Sequence, residues 1–266
     1  MGTSFMSARA SAFGGAAASL ALCAAGAAEA SPWNREAGQS LTISRVAYHA
    51  AEAPGRRFEQ VTSETYFEVG LSDRFMLGGK ASYAWQGLDQ TPETGPVRQD
   101  ALSGLAEGSV FVQGTLHRWD GGVLSAVATA HAPTETASRI GTDRAFSRDA
   151  ALGAALSLGL SREKSFLAAR LGTEHSLGRD ADFLRGEVTF GRNLPGGAMM
   201  LLDAYATHSL GGAAPEGVDY DLYQLAPSLV LPVRRRWRLQ LGATWDVAGR
   251  AVDPGAGGFV ALWMGR

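Results

Sequence analysis

The chain has a single cysteine, Cys23, and it falls within a segment expected to be removed on export. A mature chain without thiols has no disulfide and no thiolate chemistry. Beyond the N-terminus no apolar run reaches about 18 residues, which excludes an α-helical membrane span there. Charge is nearly balanced, with 24 Lys and Arg against 26 Asp and Glu and a formal net charge of −2. No basic patch is interleaved with aromatics, so nucleic acid is not an expected partner. The His/Glu/Cys spacings of metal sites, a Gly-x-x-x-x-Gly-Lys phosphate loop and a Gly-x-Ser-x-Gly nucleophile elbow are all missing, and no cofactor or metal is expected. The acidic residues of Leu177-Gly178-Arg179-Asp180-Ala181-Asp182 are too few oxygen ligands for calcium and read as a solvated loop.

What is present begins with an export signal. Arg9 supplies a positive start, Ala12 to Ala28 form a small, mostly apolar stretch, and Ala28-Glu29-Ala30 is an A-x-A cleavage site followed by Ser31-Pro32. This predicts a signal peptide over 1–30 cleaved after Ala30, a periplasmic segment over 31–38, and one further domain over 39–266. Leu20-Ala21-Leu22-Cys23 places a bulky Leu where a lipid-attachment signal wants a small residue, which argues against lipidation.

From residue 39 onward apolar residues recur at period two, the spacing of strands. Val61, Phe67, Val69 and Leu71 share one parity, and Gln60, Thr62, Glu64, Tyr66 and Glu68 the other. Phe75, Leu77, Ala81, Tyr83 and Trp85 alternate with Lys80, Ser82 and Gln86. The same alternation sets Leu152, Leu156, Leu158 and Leu160 against Gly153, Ala155, Ser157 and Gly159. It also sets Leu184, Val188 and Phe190 against Arg185, Glu187 and Thr189, and Trp237, Leu239, Leu241 and Trp245 against Arg236, Arg238, Gln240, Thr244 and Asp246. The predicted strands are 39–48, 58–70, 74–86, 104–117, 122–131, 148–160, 164–175, 182–193, 197–208, 220–232, 235–247 and 257–265. Arg45 breaks the alternation of the first, and the fifth, rich in Ala, Ser and Thr, fits either parity. The abundant glycine, 34 residues, suits turns and close strand approach.

The connections alternate in length. Tight turns fall at Gly70-Leu71-Ser72-Asp73-Arg74, Trp119-Asp120-Gly121-Gly122, Ser161-Arg162-Glu163-Lys164, Leu194-Pro195-Gly196-Gly197 and Pro232-Val233-Arg234-Arg235. Long connectors fall at 49–57, 87–102, 132–147, 177–181, 209–219 and 248–256. A soluble sandwich has no reason to keep its two ends so different. Outer-membrane barrels have short periplasmic turns and longer extracellular loops. Charges of both signs in mid-strand on the polar parity fit a polar lumen. Aromatics near strand ends (Tyr48, Tyr83, Trp85, Trp119, Tyr220, Tyr223, Trp237, Trp245, Trp263) fit interfacial girdles. The expectation is an all-β, antiparallel, up-and-down transmembrane barrel of about twelve strands with periplasmic termini. Its expected surroundings are outer-membrane lipid and lipopolysaccharide, and its expected helper the barrel assembly machinery. A soluble lipocalin-like or sandwich protein is the rival at the level of class.

The segment Ser63-Glu64-Thr65-Tyr66-Phe67-Glu68-Val69-Gly70-Leu71-Ser72-Asp73-Arg74-Phe75-Met76-Leu77-Gly78-Gly79-Lys80 resembles a hairpin of a diffuse group of proteobacterial outer-membrane barrels. The group is often labelled MetA-pathway phenol-degradation or transporter-like. The resemblance rests on an E-x-x-x-E-x-G-L-[ST]-D-R core and covers under a tenth of the chain. It implies a barrel of about twelve strands and solute passage. The chain departs from the usual terminal Phe or Trp of such barrels, ending Phe259-Val260-Ala261-Leu262-Trp263-Met264-Gly265-Arg266.

Two sets of residues could carry function. Glu64, Glu68, Lys80, Glu107, Arg170, Arg185, Glu187 and Arg238 are expected to line the lumen, as a solute-selecting constriction or as a salt-bridge network that stiffens or plugs the barrel. The near balance of their charges predicts weak ion selectivity. The second set is the repeated His-Ser-Leu-Gly of His175-Ser176-Leu177-Gly178 and His208-Ser209-Leu210-Gly211 at the loop end. A His beside a Ser, with Glu174 or Asp203 near, has the residue types of a hydrolytic triad. Adjacent residues on a strand face opposite ways, so His175 is badly placed to serve Ser176. The expected function is passive small-solute passage or a structural barrel. A rim acyl hydrolase using His175 or His208, and a surface-loop binding or scaffold barrel using 87–102 and 132–147, are the alternatives.

Overall fold

The computed structural model describes residues 31–90, 98–134, 149–215 and 217–265. The segment 1–30 expected as a signal peptide lies outside them, as do much of the loops 87–102 and 132–147 expected to carry surface binding.

Twelve antiparallel strands close into one barrel. They are β1 (Ser40–Ala53), β2 (Arg56–Gly70), β3 (Phe75–Gln90), β4 (Arg98–Trp119), β5 (Gly122–His131) and β6 (Ala151–Ser161), followed by β7 (Ser165–Ser176), β8 (Asp182–Asn193), β9 (Met199–Gly211), β10 (Asp221–Arg234), β11 (Trp237–Arg250) and β12 (Gly255–Gly265). Each strand pairs with its neighbours in the chain, and β1 closes on β12 from Leu41↔Gly265 to Ala51↔Gly255. None of the described residues forms a helix long and apolar enough to cross a membrane.

The short turns are built as their sequences require. Asp120-Gly121 is a two-residue hairpin loop with Gly121 at φ 73°, the left-handed conformation that such turns demand. The Ser72 hydroxyl accepts the N–H groups of Arg74 and Phe75 and so ties the β2–β3 turn. Pro195-Gly196-Gly197 forms a 3-10 turn before β9.

The long-loop end differs from expectation. The connector expected over 49–57 is only Pro54-Gly55, because β1 and β2 continue as a paired ribbon to Ala53↔Arg56. β3 and β4 likewise pair up to Gln90↔Arg98. These extensions carry polar residues such as Glu52, Arg57, Glu59 and Asp89. Hydrophobic alternation stops there while backbone pairing continues, so a pattern-based boundary falls short.

Facing follows the predicted parity through most of the wall. Val61, Phe67, Phe75, Tyr83, Trp85, Leu156, Val188 and Trp245 are exposed on the outside, and Glu68, Ser82, Ser157, Thr189 and Gln240 are buried inside. The contrast is lost at the short-turn end, where the inward residues are apolar as well as the outward ones. Leu41, Ile43, Met76, Phe111, Val127, Phe166, Met199, Leu201, Val230 and Trp263 all face inward and form one apolar cluster. Trp263 is therefore not a girdle residue, as expected from its position. It is 2% exposed, and its indole N–H donates to Gln240 Oε1 at 3.0 Å. Tyr220 is also interior, packed on Phe183 at the opposite end. In β1 the inward parity is odd, so Arg45 lies inside and does not interrupt the strand.

The cause of this inner apolar layer is the segment 31–38, which lies inside the short-turn end. Pro32 and Trp33 sit against the Gly159 backbone, and the Trp33 ring meets Phe166 edge-on at 6.0 Å. Ser125 donates to the Pro32 carbonyl at 2.8 Å. Asn34 donates to Thr115 Oγ1 and accepts from Gln113 Nε2, each at 3.0 Å. Arg35 pairs with Glu68, which also accepts from the Tyr66 hydroxyl at 2.9 Å. Asn34 and Arg35, the polar side chains the segment carries into the lumen, thus meet partners in the wall. Burial of large apolar side chains around it contributes about 1.5–3 kcal/mol each.

A Cβ at Gly159 would lie 2.5 Å from Pro32 Cγ and 2.6 Å from Trp33 Cζ2, so Gly159→Val is expected to expel the segment while leaving the barrel closed. Trypsin cleavage after Arg35 of the folded protein, read by N-terminal sequencing, checks this: the parent should resist and the variant should be cut. Equal resistance of both would show that the segment is not held by this contact.

Candidate functional site

Above the apolar cluster the lumen opens into a cavity of about 460 Å³. Its floor is the stacked pair Tyr66 and Phe111, with ring centroids 6.0 Å apart. Beneath this floor lie the Asn34–Gln113 and Arg35–Glu68 contacts, so the segment 31–38 closes the vestibule on the short-turn side. Part of the opposite mouth is narrowed by the β7–β8 and β9–β10 connections. Asp180 accepts the Asp149 N–H at 3.0 Å and the Val218 N–H at 2.9 Å. Ala181, Phe183, Val218 and Tyr220 form a small apolar cluster behind it.

Charges of both signs project into the vestibule because inward positions on neighbouring strands fall at matching heights. Lys80 on β3 lies between two carboxylates, 3.2 Å from Glu64 on β2 and 2.8 Å from Glu107 on β4. Across the cavity, Arg185 on β8 makes a two-pronged contact with Glu174 on β7, at 2.6 and 3.3 Å. Glu174 lies 3.5 Å from His131 Nε2 on β5. Arg170 donates to Ser157 at 3.1 Å and stands opposite Glu187 in the β7–β8 ladder. An Arg–carboxylate fork is a rigid element, so this side of the vestibule is held in a fixed shape. The lining counts five carboxylates, Glu64, Glu107, Asp149, Glu174 and Glu187, against Lys80, Arg170 and Arg185.

Six of the eight residues expected in the lumen therefore share this vestibule: Glu64, Lys80, Glu107, Arg170, Arg185 and Glu187. Glu68 does not, because it lies below the floor and neutralises Arg35. Arg238 does not either. It is the second residue of β11, at the short-turn rim, and not a mid-strand residue. Sequence reasoning missed His131 and Arg45. His131 ends the Ala/Ser/Thr-rich strand, where inward Val123, Ser125 and Val127 would have marked its parity. Arg45 lies with its guanidinium over the Phe259 ring, 3.9 Å from the centroid.

At the loop rim the two His-Ser-Leu-Gly stretches form the same turn twice. Ser176 and Ser209 each accept, through the hydroxyl, the N–H of the glycine two residues on (Gly178 and Gly211). An aspartate at the start of the next strand then binds both the Ser N–H and the preceding His. Asp182 does so for Ser176 and His175, and Asp221 for Ser209 and His208. The carboxylates considered from sequence lie elsewhere: Glu174 faces the vestibule, and Asp203 is buried with Thr189. Neither serine hydroxyl is aimed at an imidazole, so the arrangement is a turn lock and not a nucleophile–base pair. Nearby, Arg250 donates to Asp219 and Asp221. These hydrogen bonds hold the Asp219 carboxyl below the usual carboxylate range. No His/Cys/Asp/Glu group suited to a metal ion occurs among the described residues.

Replacing Glu174 by Gln leaves Arg185 without its carboxylate and should lower stability by about 2 kcal/mol, the scale of charge-assisted hydrogen bonds. The temperature at which the folded band is lost on gels of unboiled samples measures this. No change would mean that water solvates Arg185 equally well.

No family model matches the chain, and no curated protein does. Solved structures of outer-membrane barrels do. The COG4313 outer membrane channel from Pseudomonas putida F1 aligns at TM-score 0.63 with 12% identity, covering 90% of this chain and 100% of that one. The NanC porin aligns at TM-score 0.54 with 6% identity, over 84% and 98% of the two chains. The transport unit of the autotransporter AIDA-I from Escherichia coli aligns at TM-score 0.55 with 10% identity, over 94% and 97%. At such identities the likeness is one of architecture: the chain has the fold of outer-membrane β-barrels.

Proposed function

We propose that this protein is an outer-membrane channel for small polar solutes, exported by the segment 1–30 and inserted with its short-turn end in the periplasm. The observation that carries this reading is the charged vestibule of about 460 Å³ inside a wall whose outer face is apolar. An apolar outside needs hydrocarbon around it, and a polar inside with paired charges suits water and small hydrophilic solutes. The fold of channels and porins supports it, as does the hairpin around Glu64–Lys80 that is similar to MetA-pathway and transporter-like barrels.

The vestibule ends on a floor held up by the segment 31–38, so the resting conductance is low. Passage requires that this segment shift, and only non-covalent contacts hold it in the lumen. The excess of carboxylates over Lys80, Arg170 and Arg185 gives the vestibule a modest preference for cations, screened as salt rises. Lipopolysaccharide and phospholipid surround the barrel, and the barrel assembly machinery inserts it.

Planar-bilayer recordings test the proposal. The parent should show small or rare conductance steps, and deletion of 31–37 should raise the step size several-fold. In that deletion background, Lys80→Gln should increase cation selectivity and Glu64→Gln with Glu107→Gln should reduce it. A barrel that migrates as folded but stays silent after the deletion would overturn the channel reading.

A further inference from the structure

We infer that one face of the barrel, β6 to β11, is a binding surface for an anionic phospholipid of the inner leaflet. This rests on the orientation given above, with short turns in the periplasm, but not on solute passage. Two separate features coincide on that face.

The first is charge at the short-turn rim. Arg162, Lys164, Arg192, Arg234, Arg235 and Arg236 are all exposed there. None of the six makes an ion pair with another described residue. Glu163 is the one carboxylate among them. On the other side of the rim the balance is even: Arg74 follows Asp73, and Arg118 lies two residues before Asp120. Two of the cations share the outward parity of their strands. Arg192 continues the outward parity of Val188 and Phe190, and Arg162 that of Leu156, Leu158 and Leu160. The Lys164 backbone lies one step further along the same rim, its carbonyl accepting the Asn193 N–H at 2.7 Å, while Ser165 pairs with Arg192. Exposed Trp237 pairs with Arg234 at the same rim and marks the headgroup level.

The second feature is an apolar groove of about 620 Å³ on the outer wall above these cations. Its bed is made of small side chains, Ala169, Gly186, Ala204 and Ala206, and Leu171 and Leu225 stand at its edges. On β8 the groove at Gly186 and the cation at Arg192 lie six residues apart. That is about 20 Å along a tilted strand, or roughly one leaflet of a hydrocarbon core about 30 Å thick. A phosphate held by the rim would place its acyl chain in the groove.

The occupant is therefore a phospholipid with a net negative headgroup. Clustered Lys and Arg at a membrane surface attract anionic lipids, whereas a zwitterionic headgroup brings its own ammonium against them. Lipopolysaccharide belongs to the leaflet at the opposite end of the barrel.

The test uses the full protein reconstituted in vesicles of equal phosphatidylethanolamine and phosphatidylglycerol, then released in detergent. Retained lipid is read by native mass spectrometry, and gel migration of unboiled samples confirms that each variant is folded. Phosphatidylglycerol should be enriched several-fold over phosphatidylethanolamine. Arg162→Gln/Lys164→Gln/Arg192→Gln should abolish the enrichment, and Arg234→Gln/Arg235→Gln/Arg236→Gln should weaken it. Arg74→Gln/Arg118→Gln should leave it intact. Ala204→Leu/Ala206→Leu, which fills the groove, should lower lipid retention with the rim unchanged. Equal retention of the two lipids, or enrichment that survives neutralisation of both cation sets, overturns the proposal. Displacement by inorganic phosphate without any effect of groove filling would reveal a bare anion site and also overturn it. Groove variants that alter oligomeric size but not lipid retention would make the face a contact between copies. A silent conductance record with intact enrichment would sink the channel reading alone.

Discussion

Closure of the backbone hydrogen-bond ladder between β1 and β12 is the constraint on which the rest depends. In hydrocarbon an unpaired N–H or C=O costs several kcal/mol, and a sheet avoids that cost only by leaving no edge. Once the ladder runs from Leu41↔Gly265 to Ala51↔Gly255, every strand has two neighbours and each alternate residue is committed to one of two solvents. The outward set is free to be Leu, Val, Phe and Trp because lipid accepts them. The inward set must find its partners inside, and this obliges the lumen to be either polar and wet or packed.

This protein uses both solutions, one above the other. In the short-turn part of the barrel the inward residues are apolar, and Pro32, Trp33 and Asn34 fill the space between them. In the long-loop part the inward residues are charged, and the ion pairs of Lys80 and Arg185 line an open vestibule. The boundary is the Tyr66–Phe111 stack. Its position explains why Glu68, two residues below Tyr66, serves to hold the N-terminal segment, while Glu64, two residues above, faces the vestibule. A single strand thus contributes to both halves.

The loop end shows how the vestibule keeps its shape without disulfides. The His-Ser-Leu-Gly turn, repeated at Ser176 and Ser209, uses an aspartate of the following strand to tie the strand end, and Asp180 joins two connections and the start of β6. Arg250 joins Asp219 and Asp221 across the same rim. The residues that resemble catalytic machinery by type serve these turns, the serine hydroxyls accepting glycine N–H groups and the histidines meeting Asp182 and Asp221.

The sequence by itself determined the class and most of the wall. Period-two alternation in Gln60–Val69 or Leu152–Leu160 places each side chain inside or outside because strand geometry allows no other choice, and the Asp120-Gly121 and Leu71–Arg74 turns locate the short end. It could not show that Leu41, Ile43, Met199 and Trp263 face inward. Alternation assigns sides only where the two parities differ, and the local apolar core makes both parities apolar at that end. That core exists because residues 31–38 fold back into the lumen, a contact between chain positions as distant as Pro32 and Gly159. The grouping of Glu64, Lys80 and Glu107 opposite Glu174 and Arg185 likewise had to await the tertiary structure. Register across neighbouring strands sets the height of each charge, and a slip of one residue would have turned all of them to lipid.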